Sequence, residues 1–189
     1  MTLPPVVRVF FAIDLSSDIK EKIGGFIGSL KKQAKSNAIR WTKPENLHIT
    51  LQFLAEVRSE HLPQLLDQVR KKLAGTAKPQ VLSFGEIHLF PNPFRPRVMV
   101  LEVMEQAELA KLSGLIGEGI VAAEYAIEDR PFRAHLTLGR IKHPEMDLHF
   151  LNELPTLKLD QINITEVVLF RSEPQQDGSI YMPIERIKL

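Results

Sequence analysis

Apolar and polar positions follow two rhythms along the 189-residue chain. Short runs rich in β-branched and aromatic residues predict strands at 6–13 (VVRVFFAI), 38–42 (AIRWT), 47–56 (LHITLQFLAE), near 80–90 and 97–103, and at 132–141 (FRAHLTLGRI), 162–173 and 179–189. Helical spacing lies between them. In residues 16–36, Ile19, Ile23, Phe26, Ile27 and Leu30 fall on one face, Ser16 or Ser17 can cap the start, and Gly24-Gly25 weakens the middle. In residues 59–74, Leu62, Leu65, Leu66, Val69 and Leu73 form a second stripe, and residues 105–123 make a third helix. The segments PNPFRP (91–96) and PQQDG (174–178) read as a loop and a turn. A similar order of elements recurs in the two halves. This predicts an α+β fold of two related units, with residues 1–189 as one two-lobed body and no low-complexity linker.

One word is written twice: His48-Ile49-Thr50-Leu51 and His135-Leu136-Thr137-Leu138. On a strand, residues i and i+2 share a face. His48 and Thr50 therefore point together, as do His135 and Thr137. Ile49, Leu51 and Phe53 are expected to face the core, like Leu136 and Leu138. Either pair alone reads as an ordinary exposed strand face; two copies in one short chain point to chemistry. Two histidines flanking a reacting centre can take and give a proton near neutrality, and threonine hydroxyls can donate to oxygens that gain charge. In-line displacement at phosphorus requires such a set.

Composition narrows the field. Hydrophobic residues make up 44% and charged residues 25%, enough for a packed core. The net charge of +1 excludes a broad nucleic-acid-coating surface but not a local basic cleft. There is no cysteine, so thiolate chemistry is excluded and the cytoplasm is the expected location. No apolar run reaches membrane-spanning length. The remaining histidines, His61, His88, His143 and His149, have no metal-ligand spacing, so neither metal nor cofactor is expected. The loose GxGxxG-like GLIGEG at 114–119 lies within a helical pattern and reads as helix.

The segments RVFFAIDL, RWTKPENLHITLQFLAE, FPNPFRPRVMVLEV, DRPFRAHLTLGR and VVLFRSEPQQDGSIYMPIERIKL, in that order, resemble the two-histidine phosphoesterase superfamily. The nearest resemblance is to the LigT-like RNA 2′,3′-cyclic phosphodiesterases, also known as 2′-5′ RNA ligases. The resemblance implies a bilobal fold with pseudo-twofold symmetry, antiparallel sheets lining a central cleft, and helices outside. It implies metal-free hydrolysis of RNA ends carrying a 2′,3′-cyclic phosphate, by a monomer. By position, His48 corresponds to the general acid and His135 to the general base. Thr50 and Thr137 correspond to phosphate donors, joined by Arg140 where the second word extends to His-x-Thr-x-x-Arg.

Strict alternation would put Arg140 on the face opposite His135, so it reaches the site only if the strand leaves register near Gly139. Arg130, Arg133 and Lys142 could add positive potential, diluted by Glu128 and Asp129. Phe11 and Trp41 are candidate base-stacking rings, with core packing as the competing role. Two further readings stay open: 2′-5′ ligation or hydrolysis of another cyclic nucleotide phosphate by the same groups, and a non-catalytic RNA-end binding module, which would not need both histidines.

Overall fold

The structure, a computed structural model, describes residues 3–153, 157, 159–176 and 178–189. In chain order its elements are β1 (Val6–Asp14), α1 (Ser17–Ala34), β2 (Ile39–Trp41), β3 (His48–Arg58), α2 (Leu62–Leu73), β4 (Gln80–Leu82), β5 (Phe84–Phe90), β6 (Val98–Val103), α3 (Gln106–Ala122), β7 (His135–Ile141), β8 (Ile162–Ile164), β9 (Glu166–Gln175) and β10 (Gly178–Lys188). They build two four-stranded sheets, ordered β10-β9-β1-β3 and β2-β7-β6-β5, and a ribbon of β4 with β8. Every pairing is antiparallel.

The fold is a duplication. In one sheet β1, a helix and β3 form an antiparallel pair; in the other β6, a helix and β7 repeat the arrangement. The two halves of the sequence do not map onto the two sheets. β2 and β5, from the first half, join β6 and β7, while β9 and β10 return to cover the open edge of β1. The expected strand near 80–90 divides at Ser83. There the Glu105 carboxylate accepts from the Ser83 backbone N–H (2.8 Å) and hydroxyl (2.5 Å), and β4 leaves to pair with β8. Of the turn expected at 174–178, Asp177 lies outside the described residues.

The helices bury the stripes that their spacing predicts. Ile23, Phe26, Ile27 and Leu30 of α1 and all five apolar residues of α2 belong to one core that runs beneath both sheets. Two helical glycines are explained by close approach. A Cβ at Gly24 would sit 2.8 Å from Pro44, and one at Gly119 would sit 2.6 Å from the Val69 Cα across the α2–α3 contact.

Each motif strand carries a bulge one residue past its threonine. On β3, Thr50 pairs with Ala12 and Gln52 with Phe11, so Leu51 is the extra residue. On β7, Thr137 pairs with Val100 and Gly139 with Met99, so Leu138 is extra. A bulge switches the faces of everything after it. Phe53 consequently lies on the His48 face rather than the core face expected from alternation, and Arg140 lies on the His135 face. Both bulged carbonyls find donors: the Ser113 hydroxyl of α3 donates to Leu51 O (2.8 Å), and the Thr42 N–H donates to Leu138 O (2.9 Å).

Candidate active site

Between the sheets lies a cleft of about 850 Å³. His48, Thr50, His135, Thr137 and Arg140 all line it. The two repeated words, far apart in sequence, thus meet at one surface. Their geometry is matched. His48 Nδ1 lies 2.6 Å from the Asn46 carbonyl, and His135 Nδ1 lies 2.8 Å from the Arg133 carbonyl. A carbonyl only accepts, so each Nδ1 carries the proton and donates, which leaves Nε2 as the basic nitrogen. For His48 that nitrogen is 3.0 Å from Thr50 Oγ1. Each histidine is therefore oriented by the backbone two residues before it. Asn46 is itself anchored, its side-chain amide donating to Ser179 O of β10 (2.8 Å).

The two walls differ. His48 sits among rings: Phe10 at 4.8 Å between centroids, Tyr181 edge-on at 5.1 Å, and Phe170 at 6.4 Å. With Ala12, Val168 and Phe53 these form a small apolar cluster on the cleft side of the first sheet. Burial there penalises the charged imidazole and lowers the His48 pKa to about 4; the Asn46 carbonyl opposes this, and Lys20 adds to it. His135 is also lowered, first by burial and then by Arg130, Arg133 and Arg140, against the pull of the Arg133 carbonyl. Its wall is cationic: Arg40, Arg97, Arg130, Arg133 and Arg140 all line the cleft. Arg130 is paired with Glu128 (2.5 Å), and the Arg133 guanidinium lies 4.5 Å from the Phe90 ring centre. Lys142 is not among the lining residues.

Phe11 is corrected by the structure. It is fully buried in the main core, because it alternates with Phe10 on β1 and takes the opposite face. Phe10 is the ring that meets the cleft. Trp41 does line the cleft, half-buried and packed over Gly139; its indole N–H is enclosed with no acceptor among the described residues. Phe53, Tyr181, Arg40 and Arg97 were missed. Phe53 alone had a signal: it stands at the position in the first word that Arg140 holds in the second. Among the described residues no group of three His, Cys, Asp or Glu side chains gathers as a metal would require. His61 instead bonds the Tyr125 hydroxyl (2.9 Å), and His88 lies 3.4 Å from Glu102.

Residues 13–100 match the family model of LigT-like phosphoesterases. An RNA 2′,3′-cyclic phosphodiesterase of Archaeoglobus fulgidus is 36% identical over 142 residues, spanning 74% of this chain and 77% of its own. One from Methanothermobacter thermautotrophicus is 30% identical over 97% of this chain and 99% of its own. The chain belongs to the LigT-like phosphoesterase family. Solved relatives carry the same fold over almost the full length. Escherichia coli LigT, in complex with 3′-AMP, superposes with a TM-score of 0.76 at 26% identity, covering 97% of this chain and 98% of that one. A protein from Thermus thermophilus gives 0.77 at 26% identity, covering 96% and 97%. This LigT-like phosphoesterase has no helix among its described residues that is long and apolar enough to cross a membrane.

Proposed function

We propose that this phosphoesterase, working as a single two-lobed domain with one His-x-Thr per lobe, hydrolyses RNA ends bearing a 2′,3′-cyclic phosphate to 2′-phosphates. The observation that carries the reading is the meeting of two identically tethered imidazoles, each beside a threonine, at one cleft. The names of the relatives supply the substrate class, and the 3′-AMP held by E. coli LigT supports a ribonucleotide phosphate as occupant.

Water attacks phosphorus, and His135 Nε2 takes its proton. The P–O3′ bond breaks, and His48 Nε2 delivers a proton to O3′. The product carries a 2′-phosphate and a free 3′-hydroxyl, and the swapped protons return through solvent. Thr50, Thr137 and Arg140 donate to the non-bridging oxygens as charge builds. Burial, with the neighbouring arginines adding to it, favours neutral His135, as a base must be. His48 must be protonated to act as acid, and the substrate phosphate supplies the charge that achieves this, since a nearby negative charge favours imidazolium.

The test is incubation of an RNA ending in a 2′,3′-cyclic phosphate with excess chelator, followed by phosphate-position analysis. A 2′-phosphate, formed at an undiminished rate, is expected. Activity lost on chelation and restored by a divalent ion would replace this scheme with metal-assisted hydrolysis.

A further inference from the structure

The loop between β5 and β6 presents a bare aromatic ring. Phe94 is 92% exposed, far more than any other large apolar residue described. Water disfavours such exposure, so an exposed ring on an ordered loop invites a partner. The loop is held in shape. The Asn92 side-chain oxygen accepts from the backbone N–H groups of Phe94 (3.0 Å) and Arg95 (3.1 Å). Arg97 N–H closes the base onto Phe90 O (2.7 Å), and Pro91, Pro93 and Pro96 fix backbone angles between. The conformational freedom lost on binding is therefore small.

The position of the loop identifies the partner. Its two feet, Phe90-Pro91 and Arg97-Val98, line the catalytic cleft. Phe94 is three residues from either foot, so it stands within about 11 Å of chain from the cleft rim. Arg95 and Arg97 are exposed beside it, and neither has an acidic partner among the described residues. They extend the cationic wall of Arg40, Arg133 and Arg140 outward from the site. An aromatic face flanked by unpaired arginines, continuous with a phosphate-binding cleft, is the composition of a single-strand nucleic-acid track.

Resting on the reading of the cleft given above, we propose that Phe94 stacks on a base of single-stranded RNA upstream of the terminal nucleotide. Arg95 holds the intervening phosphate. The enzyme thereby prefers an oligonucleotide end to a mononucleotide. Phe94 is a specificity residue, remote from the reacting atoms.

Two measurements on the full chain test this. The first compares kcat/KM for a hexaribonucleotide ending in a 2′,3′-cyclic phosphate with that for a nucleoside 2′,3′-cyclic phosphate. The second compares binding of a hexaribonucleotide 3′-phosphate with binding of 3′-AMP, which needs no turnover. Phe94→Ala should weaken both hexamer values at least about fivefold and leave both mononucleotide values unchanged, and Phe94→Trp should restore them. Arg95→Ala should lower the slope of log affinity against log salt for the hexamer by about 0.7. If the binding split appears but no enzyme turns over either substrate, the hydrolytic reading fails and the track stands. If Phe94→Ala leaves hexamer binding unchanged, or weakens hexamer and 3′-AMP alike, the track is wrong. Because the ring is exposed, its removal takes no packing from the core.

Discussion

His48 and His135 share one tether and differ in their surroundings. Each donates Nδ1–H to a carbonyl two residues back, but one imidazole sits among rings and the other among arginines. Replacing either by alanine should lower kcat by 10²–10⁴-fold, as for loss of one general acid or base. The double mutant should lose far less than the product of the single losses, because the pair acts as a unit. Near-normal turnover by His135→Ala would make the repeated word structural. The pKa directions add a second expectation. kcat/KM reports the free enzyme, in which both imidazoles are lowered, so its pH optimum should lie below 6.5. The kcat profile should lie to the alkaline side of it, because bound phosphate favours the charged imidazole. Coincident profiles would remove the phosphate from the protonation of His48.

The motif strands work through their bulges. On β3 the extra residue is stabilised from α3: the Ser113 hydroxyl donates to the Leu51 carbonyl, and Gln52 Nε2 donates to Ser113 Oγ (3.0 Å). Ser113→Ala should cost about 1–3 kcal/mol in urea denaturation, since it strands a buried carbonyl. An unchanged midpoint would show that the bulge needs no such support. On β7 the equivalent device is small size. A Cβ at Gly139 would come 2.9 Å from Ile39 Cγ2 and 3.2 Å from Trp41 Cε3. Gly139→Ala should therefore push β2 away, cost about 1–3 kcal/mol, and raise KM by displacing Arg140. A variant with native stability and KM would disconnect Arg140 from the register of β7.

Across the whole molecule, burial of a neutral histidine couples stability to pH. The unfolded chain takes up a proton at His48 near pH 6.5, while the folded chain resists until about 4. Stability is full above about 6.5 and falls as pH drops through that window. The loss is on the order of 3–4 kcal/mol, from roughly 1.4 kcal/mol per pH unit between the two values. His135 acts in the same direction. Thermal melts between pH 7.5 and 4 should show this slope, and His48→Gln should flatten it. An identical acid slope in that variant would assign the loss to other groups.

Much of this was legible in the chain. The period of two placed His48 with Thr50 and His135 with Thr137, and the period near 3.6 placed the buried stripes of α1 and α2, because both periods are local properties of backbone geometry. The rest waited for partners remote in sequence. Phe10 and Phe11 are adjacent, and only the pairing of β1 with β3 and β9 decides which ring meets the cleft. Alternation sent Phe53 and Arg140 to the wrong face because a bulge depends on who satisfies its free carbonyl. For Leu51 that is Ser113, and for Leu138 it is Thr42. The exchange of strands between the two halves has the same origin: an open sheet edge takes whatever segment returns to it. Repetition in the sequence determined that there would be two equivalent half-sites. Hydrogen bonds between distant segments decided that both words line one cleft, and what else stands beside them.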